Sequence, residues 1–231
     1  MSTITLSMVM KNEAGRYLQR ALEQHKQYID RAVIIDDGST DNSIELCQQI
    51  LTDIPLYIVK NEKSMFGNEV ELRKLQWTET VSTNPDWILN LDADEIFEDK
   101  FAQAVKALLL VPDIYAYRFR LYDFWNDTHY REDGYWYAHH FYRPFLVKYD
   151  SDFVYQWNEQ PQHCGRFPNN ILALPSLNSE LRLKHMGWAS KKDRLEKFIR
   201  YRKLDPEALF GIKKQYTSIL DVNPNLVEWI E

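Results

Sequence analysis

The chain has 231 residues, of which 45% are hydrophobic and 14% aromatic, enough to bury a substantial core. Its net charge of -6 at pH 7 provides no overall attraction to nucleic acid, so we expect no nucleic-acid partner. The two cysteines lack pairing or metal-ligand spacing, and the sequence shows neither a signal peptide nor a membrane-spanning apolar run; this pattern predicts a cytoplasmic protein.

Strands and helices alternate in the first part of the chain. Apolar runs predict strands near residues 4–10, 32–35, 56–59 and 87–91, and helical spacing predicts helices near 17–25, 44–51 and 70–81. This alternation predicts a parallel sheet covered by helices on both faces.

The pattern changes after residue 97. A helix is predicted from Phe101 to near Pro112, then a strand with two different faces over 115–121, and further strands near 141–147, 153–157 and 181–185. Because no linker separates the two parts, we expect one domain over 1–231 made of two halves that meet near residue 97.

A final amphipathic helix is predicted over 191–203, with Leu195, Phe198 and Ile199 facing inward. Basic residues dominate its other face and the stretch before it, from 182 to 203. This basic segment is either an ordinary solvated face or a patch for phosphates or an anionic membrane surface, which would place the protein peripherally at the inner face of a membrane.

Three carboxylates, those of Asp92, Asp94 and Glu95, follow the apolar run Trp87 to Leu91. Like charges this close repel each other, and their desolvation at the edge of an apolar core is costly, so a compensating cation is expected. Mg²⁺ or Mn²⁺ shared with a phosphate-bearing ligand fits the hard oxygen donors. The alternative is a solvated acidic turn that caps the next helix.

Polar clusters follow all four predicted strands of the first half, at 12–13, 36–39, 61–66 and 92–94. In a parallel α/β sheet, ligands gather at the carboxyl ends of the strands. Each cluster alone could be a turn with a helix cap, but their convergence at one edge favours a single binding site.

Three of these segments resemble the family 2 glycosyltransferases of the GT-A fold, in the same order and at similar spacing: residues 9–13, 33–41 and 90–95. The combination of Asp-Asp-Gly-Ser-Thr-Asp with a later Asp-x-Asp is specific. The resemblance implies an α/β, Rossmann-like, mostly parallel sheet flanked by helices. A nucleotide-sugar-binding half (1–97) would precede a mixed or antiparallel acceptor-side half (98–190) and a C-terminal helical segment (191–231).

The resemblance also implies an activity. The chain would be a metal-dependent, inverting hexosyltransferase that moves a sugar from a UDP- or dTDP-sugar to a hydroxyl of a glycan or a lipid-linked saccharide, with Mn²⁺ or Mg²⁺. Two alternatives stay open: a sugar nucleotidyltransferase, disfavoured because Lys11-Asn12-Glu13 is a poor triphosphate cradle, and a catalytically silent nucleotide- or carbohydrate-binding module.

Residue roles follow from the same resemblance. The donor nucleotide would be held by Asp37 with Asp36 as its rival, and by Met10, Glu13, Arg73 and Asp92. The metal ligands would be Asp94, Asp92 and His185. The alternative role for Arg73 is an ordinary charge on the surface of a helix. The alternative role for His185 is that of a structural histidine.

An inverting transfer also needs a carboxylate that takes the acceptor proton. Glu159 is the first candidate, with Glu95 and Asp133 as reserves, and its alternative is a loop glutamate facing solvent. The candidate acceptor contacts are Trp125, Trp136, Arg143 and Trp157. A zinc site at His139-His140 is not expected, because adjacent strand residues point to opposite faces.

Overall fold

The computed structural model describes residues 2–231. Its strands are β1 (Ile4–Met10), β2 (Arg31–Asp36), β3 (Leu56–Lys60), β4 (Trp87–Asn90), β5 (Glu95–Phe97), β6 (Ala116–Asp123), β7 (His129–Arg131), β8 (Tyr142–Lys148), β9 (Ser176–His185) and β10 (Leu226–Glu228). Its α-helices are α1 (Leu18–His25), α2 (Ser43–Ile50), α3 (Glu69–Ser82), α4 (Phe101–Leu108), α5 (Lys191–Leu204) and α6 (Lys213–Ser218).

Eight strands form one mixed sheet in the order β3-β2-β1-β4-β8-β6-β9-β5, and β10 pairs with β7 in a separate two-stranded sheet. The pairs among β3, β2, β1 and β4 are parallel, whereas β8 runs antiparallel to β4 and β6. Both halves of the chain therefore contribute strands to the same sheet.

The register of the parallel strands positions the site. All seven residues of β1 are buried, because helices cover both faces of a parallel sheet. Met10 at the end of β1 pairs with Asp36 at the end of β2, and Ser7 pairs with Asn90 at the end of β4. The residues that follow these strands thus emerge at one edge of the sheet.

One predicted strand is absent. Residues 153–157 form an irregular segment whose backbone bonds to Asn170: the Asn170 carboxamide accepts from Gln156 N at 2.9 Å and donates to the Val154 carbonyl at 2.8 Å. Tyr155 packs its ring on Trp77, with centroids 4.6 Å apart. The alternation of aromatic residues there serves packing against α3, so the strand prediction was wrong.

Helix α5 forms as predicted, and Phe198 packs against a buried aromatic cluster, but the other two predicted core residues do not face inward. Asp193 and Lys197 are buried, whereas Leu195 and Ile199 are 49% and 57% exposed. Ion pairing explains the difference, because Asp193 accepts from Arg16 at 2.8 Å and Lys197 reaches Asp94 at 3.3 Å. The prediction that Leu195 and Ile199 face the core was wrong.

The basic segment 182–203 is not one solvated face. Arg182 pairs with the buried Glu98 at 2.8 Å, Lys184 pairs with Glu231, and Arg194 donates to the Trp125 carbonyl at 2.9 Å. Several of its basic side chains are therefore paired with groups of the protein itself. Within residues 2–231, every helix is too short or too polar to cross a membrane.

Candidate active site

A cavity of about 220 Å³ lies at the sheet edge where β1 and β4 end, bounded by α3, α5 and the loop around Gln162. Its charged lining comprises five cations and four carboxylates: Lys11, Arg16, Arg73, Lys197 and Arg200, with Glu13, Glu69, Asp92 and Asp94. Fixed positive charges around a carboxylate cluster suit an anionic ligand that is bound together with a cation.

Asp92 and Arg73 are partners in the cavity wall. Arg73 is 8% exposed and donates to Asp92 at 3.1 Å, while Arg166 lies 3.9 Å from the same carboxylate. Burial alone would raise the pKa of Asp92, but Arg73 and Arg166 outweigh it and hold that pKa below its ordinary value. The alternative of a surface charge for Arg73 is therefore wrong.

Glu95 is buried and holds the acidic turn. Its carboxylate accepts two hydrogen bonds from Arg166, both at 2.8 Å, and one from the backbone N of Asp92 at 2.9 Å. Glu95 is the first residue of strand β5, so the acidic turn leads into a strand. The alternative interpretation, in which the turn caps a helix, is therefore wrong. Arg166 was not predicted, since nothing in its sequence neighbourhood marks it.

Asp94, His185, Asp123 and Lys197 form one chain of polar contacts. His185 Nδ1 lies 2.7 Å from Asp123 Oδ1, and its Nε2 lies 3.6 Å from Asp94 Oδ2. Burial would raise the pKa of Asp94, but Lys197 and His185 hold it well below the ordinary value. Asp94 is therefore an ionised carboxylate inside the protein.

The surroundings of His185 favour its protonated form. Burial and the Lys197 ammonium, whose Nζ lies 3.3 Å from Nε2, lower the pKa of His185, but Asp94 and Asp123 outweigh them and raise it to about 9. The Nδ1–H group donates to Asp123. A histidine oriented by a carboxylate is also the usual arrangement at a metal site, where the ion would replace the proton on Nε2.

These residues fit a divalent ion in donor chemistry. Asp94 Oδ2 and His185 Nε2, at 3.6 Å, are close enough to bind one ion, and Asp92 lines the same cavity. Gly187 is required beside them, because a Cβ at this position would overlap Asp94 Oδ2 and Lys197 Nζ.

The carboxylates at the end of β2 and directly after it are buried and support loops. Asp36 accepts from the backbone N of Ser39 at 3.1 Å. Asp37 accepts from Asn61 Nδ2 and from the backbone N of Met65, both at 2.8 Å. Neither lines the cavity, but Asp37 fixes the loop that places Phe66 in the cavity wall.

Met10 and Glu13, after β1, both line the cavity. Burial, together with the negative charge of Asp94, raises the pKa of Glu13 to about 7, against the opposing effect of Arg16. A carboxyl group with this pKa exchanges its proton near neutral pH.

A second cavity of about 370 Å³ adjoins the first. Five aromatic residues contribute to its lining: Trp136, Trp188, Tyr201, Phe210 and Tyr216. The two cavities share His163, His185 and Tyr201, so they meet beside Asp94. Of the predicted acceptor contacts, Trp136 and Arg143 line this second cavity.

Trp125 and Trp157 lie elsewhere. Trp125 is 4% exposed and packs on Trp136 with ring centroids 4.7 Å apart, so it belongs to the core. Trp157 is placed near Trp77, with ring centroids 6.4 Å apart. Neither lines either of the two cavities.

The carboxylates predicted as bases also lie outside the two cavities. Glu159 has a 65% exposed side chain paired with Lys74 at 2.8 Å. Asp133 accepts from Arg131 at 2.6 Å. By contrast, Asp123 lines the aromatic cavity, although no motif marked it.

His139 and His140 belong to a short 3-10 helix instead of a strand, so the argument that they point apart was wrong. Glu132 lies 3.0 Å from His139 and 3.6 Å from His140. Among the described residues, Glu132, His139 and His140 are the one group of at least three potential metal ligands whose ligand atoms all lie within 4.8 Å of one another.

The mixed α/β sheet and the charged cavity beside an Asp-x-Asp define a GT-A type fold, and solved structures share it. TarS of Staphylococcus aureus aligns with 95% of this chain and 42% of its own, at 13% identity and a TM-score of 0.58. A TarS 1–349 structure with UDP-GlcNAc aligns over 95% of this chain and 70% of its own, at 12% identity and a TM-score of 0.56. The expected fold class is confirmed.

The chain belongs to glycosyl transferase family 2, whose model matches residues 5–160. An uncharacterized glycosyltransferase of Rickettsia felis is 33% identical over 95 residues, or 41% of this chain and 30% of the relative. An uncharacterized protein of Mycobacterium tuberculosis is 23% identical over 91% of this chain and 53% of its own length. The chain thus spans about half or less of these curated relatives.

Proposed function

We propose that this chain transfers a sugar from a UDP- or dTDP-sugar to a hydroxyl of a carbohydrate or lipid-linked acceptor, with inversion at the anomeric carbon. The observation that carries the proposal is the meeting of the charged and aromatic cavities at His185, beside Asp94. The complex of TarS with UDP-GlcNAc supports a uridine donor.

The charged cavity would take the nucleotide diphosphate. Asp94, Asp92 and His185 would hold Mn²⁺ or Mg²⁺, which supplies positive charge to the diphosphate oxygens as they leave. Arg16 and Arg200 line the same cavity and can donate to those oxygens. Asp37 and Met10 would position the base, Asp37 through the loop that carries Phe66.

The aromatic cavity would take the acceptor. Ring faces such as those of Tyr201 and Phe210 pack against the C–H faces of a sugar, and Arg143 can donate to its hydroxyls. The incoming hydroxyl then approaches along the side where the two cavities join.

Two carboxylates are candidates for the general base. Glu159 follows from the family resemblance, while Asp123 lines the acceptor cavity at His185. Asp123 is better placed in this conformation, because Glu159 is held by Lys74 on the surface. Glu159→Gln and Asp123→Asn should separate them: loss of the base lowers transfer by ~10²-fold or more. Because Asp123 also contacts His185 at 2.7 Å, a loss of transfer in Asp123→Asn identifies the base only if binding of Mn²⁺ and UDP persists in that variant.

A screen of nucleotide sugars for release of nucleoside diphosphate, with and without Mn²⁺, tests the proposal. We expect metal-dependent release from a uridine or thymidine donor, and its loss in Asp94→Asn with the fold intact. Turnover of a nucleoside triphosphate with a sugar phosphate would instead identify a nucleotidyltransferase. Nucleotide binding without turnover of any donor and acceptor pair would identify a silent module.

A further inference from the structure

Lys197 is buried in the candidate metal site. Its residue surface is 9% exposed, and Nζ lies 3.3 Å from Asp94 Oδ2 and 3.3 Å from His185 Nε2. The ammonium also lies 4.4 Å from the ring centroid of Trp188, a cation–π distance. Lysines are almost never fully buried without a partner, so these contacts define a specific ammonium site.

The surrounding structure restricts the position of helix α5 and therefore that of the Lys197 ammonium. The pair between Arg16 and Asp193 at 2.8 Å anchors the first turn of α5, and Ser190 caps the helix by accepting from Asp193 N at 3.0 Å. The absence of a side chain at Gly187 leaves the space in which Nζ and Asp94 meet.

The ammonium and a divalent ion would use the same atoms. A divalent ion would be held by Asp94 Oδ2 and His185 Nε2, which lie 3.6 Å apart. Lys197 Nζ already contacts both atoms at 3.3 Å. Two cations at the same pair of ligands repel each other strongly in a buried site, so one must move when the other binds.

We propose that Lys197 is a tethered cation that competes with the divalent ion for Asp94 and His185. This inference rests on the proposed function for the identity of the metal site. Competition from Lys197 lowers the affinity of the site for a divalent ion when no nucleotide is bound. Diphosphate oxygens would supply further ligands to the ion and would accept a hydrogen bond from the displaced ammonium, so the nucleotide and the ion would strengthen each other's binding.

Mn²⁺ binding without nucleotide tests the competition, with free Mn²⁺ measured by electron paramagnetic resonance. Lys197→Met should lower the Kd for Mn²⁺ by about tenfold or more relative to wild type, because the competing charge is gone. Lys197→Arg keeps the positive charge and should not lower the Kd for Mn²⁺. The matched control is Lys192→Met on the same helix, where the side chain is 84% exposed.

Equal Mn²⁺ affinity in Lys197→Met and Lys192→Met, or no Mn²⁺ binding by either variant, overturns the inference. Thermal unfolding of each variant establishes that it is folded. In the wild-type protein, amine labelling followed by mass spectrometry gives a second readout. Saturating Mn²⁺ should speed the labelling of Lys197 while that of Lys192 stays constant; continued protection of Lys197 overturns the inference.

These outcomes are separable from the fate of the proposed function. If no nucleotide sugar is turned over but Lys197→Met tightens Mn²⁺ binding, the transferase proposal fails and the competition stands. If donor hydrolysis requires metal but the Kd for Mn²⁺ is the same in wild type and Lys197→Met, the proposal of competition fails and the proposed function stands.

Discussion

Arg166 donates two hydrogen bonds to Glu95, both at 2.8 Å, and through Glu95 it holds the backbone of Asp92. The guanidinium also lies 4.2 Å from the ring centroid of Phe145. A residue from the loop after the aromatic region thus fixes the turn that carries Asp92 and Asp94. A residue from the second half of the chain thereby supports the geometry of a turn in the first half.

Replacing Arg166 with Met should destabilise the protein by about 3 kcal/mol or more, since Glu95 would be left buried without its partner. Urea unfolding measures the change. Lys74→Met, which breaks the exposed pair with Glu159, should change the free energy of unfolding far less. A similar loss in both variants would contradict this account of Glu95.

Gly187→Ala should weaken the binding of Mn²⁺ together with UDP by about tenfold or more, because the added Cβ displaces Asp94 and Lys197. Isothermal titration calorimetry measures the binding. Gly134→Ala is the control, since nothing lies within 4 Å of a Cβ built there. Unchanged binding in Gly187→Ala would show that the turn after His185 tolerates displacement.

His25 should make the protein less stable in acid. Burial lowers its pKa from 6.5 to about 3, and its Nδ1 lies 2.6 Å from the Tyr28 hydroxyl. As the pH falls below 6.5, the unfolded chain binds a proton that the folded chain does not, and this penalty stops growing near pH 3. At pH 5 it amounts to about 2 kcal/mol.

Urea unfolding of wild type and His25→Gln across pH 7 to 4 measures this dependence. The variant should show a flatter decline in stability, whatever its stability at pH 7. His140→Gln, which removes a mostly exposed imidazole, serves as the control. Parallel curves for wild type and His25→Gln would rule out this role for His25.

Arg143→Gln should raise the KM for the acceptor by about tenfold or more, since a charged donor in the aromatic cavity is lost. Donor hydrolysis in the absence of acceptor should change far less. Lys148→Gln, on the same strand, is the control. An equal effect on donor hydrolysis and acceptor KM would place Arg143 with the donor.

The sequence predicted the parts of the fold that rest on periodicity. Strands β1, β2 and β4 are short buried runs, and their common edge follows from the alternation with helices. Helix α5 shows where periodicity fails. Its apolar residues suggested one buried face, but the pairs of Asp193 and Lys197 with distant charges determined another.

The same limit applies to the site. Asp92, Asp94 and His185 were singled out by the family resemblance and by their positions at or after the ends of predicted strands, and all three line one cavity. Lys197 and Arg166 could not be singled out, since each acts through a contact with a residue more than 70 positions away. Pairing between distant charges depends on tertiary structure and leaves no local pattern.

Helix α3 holds one wall of the charged cavity at two levels. Its first residue, Glu69, donates its backbone N to the Pro161 carbonyl at 2.8 Å and accepts from the backbone N of His163 at 2.7 Å. One turn later, Arg73 holds Asp92. On this side the cavity can widen only if α3 moves as a unit or the loop gives up both hydrogen bonds. Discrimination among nucleotide bases of different size would then reside in the rigidity of one helix.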